Sequence, residues 1–332
     1  MSASAFRVGK VMSGAPYSED GSAAPAGLGA PRRPALTTTV PRELVHRASV
    51  AEVLLTGWDR VDDARFTVTA QLPRQHGFHV SVGGCHDPLL ITETVRQAGL
   101  LLAHAELGVP LEHQFLMWDL SADVVPEALR VGGAPASLDI DVACEDVRRR
   151  GAQVAGAHYD MVIRRDGEVA ARGGATFTCT SPAVYRRLRA AARAGAGAPV
   201  PLPLPSPAPP REVGRVSAAD VVLSPSPAAG RWRLRADTTH PALFDHPVDH
   251  VPGMVLLEAA RQATTAFLRR PCLPVGLTGE FSRYVELDRE CAIEACALPG
   301  GAAEGRERVL VTGRQDGGQV FRATVTAAPV PL

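Results

Sequence analysis

Lysine is almost missing from this chain. Of its 35 basic residues only Lys10 carries an ammonium, which excludes Schiff-base chemistry and lysine nucleophiles from the body of the protein. An excess of either charge is missing too. With 35 acidic residues against 35 basic ones, no long-range field favours nucleic acid or an anionic membrane, so the expected partner is small or locally recognised. Cysteine is sparse and scattered over Cys85, Cys144, Cys179, Cys272, Cys291 and Cys296, with no Cys-x-x-Cys pair and no histidine at zinc-finger spacing. A disulfide framework and a structural zinc are therefore not expected, and a reducing compartment fits. The N-terminus lacks the basic start and apolar stretch of a signal peptide, and no apolar run is long enough to span a bilayer. The expectation is a soluble cytoplasmic protein.

What is present is a repetition. The stretches His86 to Ala98 and His250 to Ala263 are apolar runs that each carry Glu, then Arg three and Gln four residues later. These are Glu93, Arg96 and Gln97 in the first, and Glu258, Arg261 and Gln262 in the second. At 3.6 residues per turn the three polar side chains share one face of an otherwise apolar helix. Upstream, the segment Arg47 to Leu55 matches Arg215 to Leu223 without a gap. Downstream of each helix an extended segment follows, Phe115 to Leu120 and Phe281 to Leu287, and then alternating strand-like runs. The period is that of duplicated domains rather than of a solenoid.

The expected organisation is a disordered tail over residues 1–38, a first domain over 39–194, a proline-rich linker over 195–211 and a second domain over 212–332. The tail is rich in Ala, Gly, Ser and Pro without apolar periodicity, so ordering it would cost entropy with little burial in return. The linker reads as a stiff, extended spacer. Strands are legible at Phe66–Ala70, Ala136–Val142, Ala157–Arg164, Glu168–Cys179, Arg308–Gly313 and Val320–Thr326, with hairpin turns at Asp166-Gly167 and Asp316-Gly317-Gly318. Trp58, Trp118 and Trp232 are expected in the core. A helix apolar nearly all round, beside a mostly antiparallel sheet, is best buried by the sheet curling around it. That predicts an α+β chain of two tandem hotdog domains, a double hotdog, in which each copy supplies the edge its partner needs. Whether two such chains form a homodimer is left open.

The run Val251-Pro252-Gly253-Met254 with the helix to Thr264 resembles the central helix of β-hydroxyacyl-ACP dehydratases. Phe244, however, stands in register with their catalytic histidine, and His246 lies two positions later, so the usual His and Glu dehydration is not expected. A longer likeness, from Val45-His46-Arg47 through Glu52–Trp58, His86–Gly99, Ala103-His104, Phe115–Leu120 and Asp249–Met254, resembles the AfsA family. The resemblance implies transfer of a β-ketoacyl chain from an acyl-carrier-protein thioester to the hydroxyl of dihydroxyacetone phosphate, toward γ-butyrolactone or butenolide signals of actinomycetes. No cofactor and no metal is implied, and neither nucleic acid nor membrane is an expected partner.

Such a transfer needs a base, an oxyanion donor and a place for phosphate. Glu93 or Glu258 on an apolar helix is expected to be pushed toward neutrality by desolvation and so to serve as base. Arg96 and Arg261 offer planar forks for phosphate. The preferred arrangement is hybrid, Glu93 from one half with Arg261 from the other, and Glu258 and Arg96 as second choices. Unpaired N–H groups after Pro88 and Pro252-Gly253 can polarise the thioester carbonyl. His86, Asp87 and Gln97, with Asp249, His250, Gly253 and Gln262, are the candidates for substrate contact; His86 and His250 serve equally as helix caps, as bases or as packing residues, and Asp249 stands next to His250 to orient it. An intrahelical Glu–Arg pair more often decorates a solvated face and contributes a few tenths of a kcal/mol. Here the apolar flanks lead to the expectation that the triplet is buried or lines a cleft. Two other readings use the same fold: a thioesterase or dehydratase on acyl-ACP, which needs no phosphate site, and a non-catalytic acyl or lactone binder, which needs no Glu and Arg together in both repeats.

Overall fold

The computed structural model describes residues 38–193, 200–299 and 305–331. The expected tail, apart from Thr38, and residues 195–199 of the expected linker lie outside them. The first half contains β1 (Leu55–Arg60), β2 (Arg65–Leu72), α1 (Pro88–Ala105), β3 (Gln114–Val124), β4 (Ala136–Arg150), β5 (Gln153–Arg165), β6 (Glu168–Thr180) and α2 (Pro182–Arg193). The second contains β7 (Leu223–Pro225), β8 (Arg231–Leu234), α3 (Gly253–Leu268), β9 (Cys272–Phe281), β10 (Cys291–Ala297), β11 (Glu307–Gln315) and β12 (Gly318–Pro329).

All twelve strands form one antiparallel sheet in the order β1-β2-β4-β5-β6-β3-β9-β12-β11-β10-β8-β7. Read from either edge inward, the two halves repeat the same order of strands, and each has its long helix between its second and third strand. The halves join where β3 pairs with β9, from Asp119 opposite Glu280 to Asp123 opposite Gly276. Each copy thus covers the other's edge with backbone hydrogen bonds. This is the double hotdog, with α1 and α3 as the wrapped helices.

Local chemistry explains the elements. In β4 buried and exposed residues alternate from Ala136 to Val142, the period-two pattern of a sheet with one face on the core. The β5–β6 and β11–β12 hairpins turn at Asp166-Gly167 and Asp316-Gly317, all four residues having positive φ as a tight two-residue hairpin requires. α1 starts at Pro88, and the Asp87 carboxylate caps it by accepting from the Leu89 N–H at 2.9 Å. Leu89, Leu90, Ile91, Leu101 and Leu102 of α1 are fully buried, each contributing roughly 2 kcal/mol of hydrophobic stabilisation. Among the described residues no helix is long and apolar enough to cross a membrane.

Three expectations change. The strand equivalent to β3 is Cys272–Phe281, whereas residues 282–287 form a loop. Pro274 and Gly276 disguise that strand in the sequence; Pro274 sits opposite Ala327 at a register shift, where a missing N–H is tolerated. Trp118 is not core. It is the extra residue of a bulge between Met117 and Asp119, which turns it outward to 44% exposure, with Nε1 donating to Thr178 Oγ1 at 3.1 Å. Finally, residues 200–209 are not a free spacer but lie along the second half: Ala208 N–H donates to Leu223 O, Leu202 N–H to Leu287 O, and Arg235 Nε to Pro205 O.

Candidate active site

Both Glu-Arg-Gln triplets are buried except for the half-buried Arg96, and each recruits a further arginine. Glu93 Oε1 receives Arg47 Nη2 at 2.6 Å, Arg96 Nη2 at 2.7 Å and Gln97 Nε2 at 2.7 Å, while Arg96 Nε donates to Oε2 at 2.8 Å. In the second half Glu258 Oε1 receives Arg215 Nε at 2.9 Å, Arg261 Nη2 at 2.6 Å and Gln262 Nε2 at 2.6 Å, and Arg261 Nε donates to Oε2 at 2.9 Å. The arginines also cross between halves: Arg47 Nη1 donates to Ala242 O at 3.2 Å, and Arg215 Nη1 to Phe78 O at 2.7 Å.

These contacts overturn the expected upward shift of the two carboxyl pKa values. Burial alone would raise both carboxyls, but the paired guanidiniums outweigh it, holding Glu93 well below the ordinary range and Glu258 at about 2. A carboxylate so held is a poor proton acceptor. The hybrid pairing is overturned as well, because the Arg261 guanidinium binds Glu258 of its own helix and Glu93 is filled by Arg47, Arg96 and Gln97. The glutamines are equally committed. Gln97 accepts from Leu54 N–H and donates to Glu52 O, and Gln262 does the same with Val222 N–H and Asp220 O.

The halves differ in access. A cavity of about 930 Å³ opens between them, walled by His46, Arg47, Arg96 and Tyr159 from the first half and by residues 243–254 and 281–285 from the second. Leu100, Leu111, Phe115 and Phe177 are among its apolar lining residues, and Trp118 lies on its wall. Of the sequence candidates, Arg96, Asp249, His250 and Gly253 line this cavity; His86, Asp87, Glu93, Gln97, Glu258, Arg261 and Gln262 do not. Arg96 keeps 17% of its side chain exposed against 6% for Arg261, so the first triplet is the one a ligand can reach. In the second half the Phe78 ring lies 4.1 Å from the Arg215 guanidinium and covers it. His86 and Asp87 are buried away from the cavity, Asp87 as the α1 cap, because their positions face the closed side. Phe244, in place of the dehydratase histidine, is a buried part of the wall.

Two fixed imidazoles, His46 and His250, line the cavity. Behind His46, His104 Nδ1 is 2.7 Å from the Val109 carbonyl oxygen, which only accepts, so His104 Nε2 carries the lone pair and receives His46 Nε2–H at 2.8 Å. Burial, reinforced by His104 and Arg96, pushes His46 down to about 3, so it stays neutral. His250 Nδ1 lies 2.8 Å from Asp249 Oδ1, just ahead of the N-terminus of α3.

The A-factor biosynthesis hotdog domain matches this sequence twice, over residues 29–181 and 198–331. The chain belongs to the AfsA family. A relative from Streptomyces virginiae, a 2-oxo-3-(phosphooxy)propyl 3-oxoalkanoate synthase, is 55% identical over 291 residues, covering 87% of this chain and 98% of that protein. A synthase of the same name from Streptomyces coelicolor is 46% identical over 290 residues, covering 86% and 91%. Among solved structures, the 12:0-ACP thioesterase of Umbellularia californica superposes with a TM-score of 0.49 at 13% identity, over 80% of this chain and 97% of that one.

In this AfsA-family chain several groups at the site escaped the sequence reading. Arg47 and Arg215 were visible as a repeated pair, which is the signal that marks them as partners of the repeated glutamates. Tyr185 and Arg189 sit on α2, a helix that was not expected. Its sequence signals are Ser181 followed by Pro182 at the first helical position, with Arg and Ala beyond.

Proposed function

We propose that this chain transfers a β-ketoacyl group from an acyl-carrier-protein thioester to the hydroxyl of dihydroxyacetone phosphate. The product is the 2-oxo-3-(phosphooxy)propyl 3-oxoalkanoate for which its relatives are named, on the way to a γ-butyrolactone or butenolide signal in the cytoplasm of an actinomycete. The observation that carries the reading is a cavity lined by apolar side chains, a reachable arginine and a helix N-terminus. Its volume of about 930 Å³ suits an acyl chain together with a triose phosphate.

In this reading the two repeats, 39–194 and 212–332 with 195–211 between them, build one site. Arg96, charged and held in place by Glu93, faces the acceptor phosphate, and Arg47 fixes Glu93. Glu93 is thereby a positioning residue rather than the base. Pro252 carries no side-chain cap, and Gly253 and Met254 at the start of α3 offer unpaired N–H groups to the thioester oxygen. The apolar lining that includes Leu100, Phe115 and Phe177 takes the alkyl chain. Exposed Arg186 and Arg283 border the cavity and suit the acidic surface of a carrier protein. Glu258, Arg261 and Arg215 form the covered twin, a scaffold that holds α3.

The test is thiol release from a β-ketoacyl thioester with and without dihydroxyacetone phosphate, with product mass. Release that depends on the acceptor is expected, and Arg96→Ala should raise the acceptor KM about tenfold or more, the loss of one charge-assisted contact. Release at the same rate without acceptor would replace the transferase by a thioesterase.

A further inference from the structure

We infer that His250 is the general base of the acyl transfer, with Asp249 fixing its tautomer. The inference rests on the acyl-transfer reading above and assigns a residue to its proton step. Among the described residues the Asp249 carboxylate receives His250 Nδ1 at 2.8 Å and the Tyr185 hydroxyl at 2.6 Å on Oδ1, and Arg189 Nε at 3.0 Å on Oδ2. Burial opposes its charge, but His250, Tyr185 and Arg189 together hold it ionised well below the ordinary carboxylate range. An ionised carboxylate only accepts, so the proton between them belongs to His250 Nδ1 and the lone pair sits on Nε2. Among the described residues Nε2 has no hydrogen-bond partner, and the side chain, 27% exposed, lines the cavity.

The imidazole is braced as well as oriented. The Tyr284 ring meets it edge-on at 4.7 Å, and the Arg189 guanidinium lies 4.5 Å from the Tyr284 ring on the path to Glu286, which it grips at 2.6 and 2.8 Å. Arg189 also donates to the Asp249 carbonyl at 3.0 Å, fixing the backbone just ahead of His250. The competing groups are worse placed for gaining a proton. An imidazolium at His46 would be opposed by Arg96, whereas His250 Nδ1 lies 2.8 Å from the Asp249 carboxylate. Glu93 is saturated by two arginines.

The step balances without an outside reagent. His250 Nε2 takes the acceptor O–H proton as that oxygen bonds to the thioester carbon, and the carbonyl electron pair moves onto its oxygen beside the α3 N-terminus. Collapse breaks the C–S bond, and the leaving thiolate takes the proton back from Nε2, leaving ester and thiol.

The experiment compares full-length wild type with His250→Ala and Asp249→Asn, using a 3-oxoacyl N-acetylcysteamine thioester and dihydroxyacetone phosphate. Thioester binding is followed separately by the fluorescence of Trp118 on the cavity wall. The expected result is a kcat about 10²- to 10⁴-fold lower in His250→Ala with KM and thioester binding retained, partial rescue by added imidazole, and a smaller kcat loss in Asp249→Asn. His250→Gln, which preserves bulk, is read the same way should the alanine variant unfold. A folded variant keeping more than about a tenth of kcat overturns the assignment, since a general base contributes more than that. Should wild type release thiol without the acceptor, the transferase reading fails alone, and the His250 variants are then scored on hydrolysis. A wild-type chain inert toward the thioester overturns both.

Discussion

At the residue scale, the glutamates of the two long helices show how neighbours reverse an expectation drawn from burial alone. Glu258 has no exposed side-chain surface, yet its carboxyl stays ionised because Arg215 and Arg261 both bind it. Glu258→Gln leaves two buried guanidiniums without their counter-ion. The expected loss is about 3–5 kcal/mol in denaturant unfolding, the usual result of breaking a buried ion pair on one side. Gly99 makes a different demand. A Cβ built there would stand 2.2 Å from Tyr159, whose hydroxyl donates to Val95 O at 3.1 Å and whose ring helps wall the cavity. Gly99→Ala is therefore expected to cost about 1–3 kcal/mol by overpacking and to weaken acyl-thioester binding, measured by thermal melting and titration. A variant as stable as wild type would mean that Tyr159 moves freely, and would remove it from the fixed wall.

At the scale of elements, α2 has the most consequence for its length. It belongs to the first half in sequence but is tied to the second through Tyr185 and Arg189, which bind Asp249 and Glu286. Arg189→Ala removes the cation from between two carboxylates. It should cost about 2–4 kcal/mol, below the full effect of a broken buried pair because Asp249 is itself 35% exposed. The same variant should lower kcat more than it changes KM, since the backbone and side chain that orient His250 are released together. α1 and α3 were legible because their apolar runs are long and their polar triplets share one face. β9 was displaced in the reading because proline and glycine break its apolar pattern, while the register with β12 that absorbs them is a property of the paired strand.

At the scale of the whole molecule, the β3–β9 seam makes the halves one sheet, and arginines from each half bond carbonyls of the other. Chemical denaturation should therefore give a single transition for both halves, reported alike by tryptophan fluorescence and circular dichroism. Two separated transitions would show that the seam is weaker than its hydrogen bonding implies. Acid should destabilise the whole. His46 is held neutral down to about 3 against an ordinary 6.5, so between these values the unfolded chain binds more protons and stability falls as pH drops. Glu93 and Glu258 are held below their ordinary 4.5, so the stabilisation they give is present above that value and is lost as pH falls below it. Melting temperature is expected to decline from about pH 6.5 and more steeply under about pH 4.5, the unfolded-state values of these groups. A melting temperature level across that interval would contradict the buried charge clusters.

The sequence by itself determined the duplication, the hotdog class, the two polar triplets and the family, because helix periodicity, strand alternation and turn chemistry are local properties written residue by residue. It did not determine which triplet would be reachable or how its charges would be neutralised. Arg47 lies 46 residues from Glu93, and Asp245 reaches the Ala48 and Ser49 N–H groups across 197 and 196 residues, separations that no local pattern encodes. Only the tertiary structure opened a cavity over Arg96, laid Phe78 over Arg215, and turned Asp249 and His250 toward the space between the halves. Access and ionisation depend on what packs against a group from elsewhere in the chain, and that is settled when the two halves share one sheet.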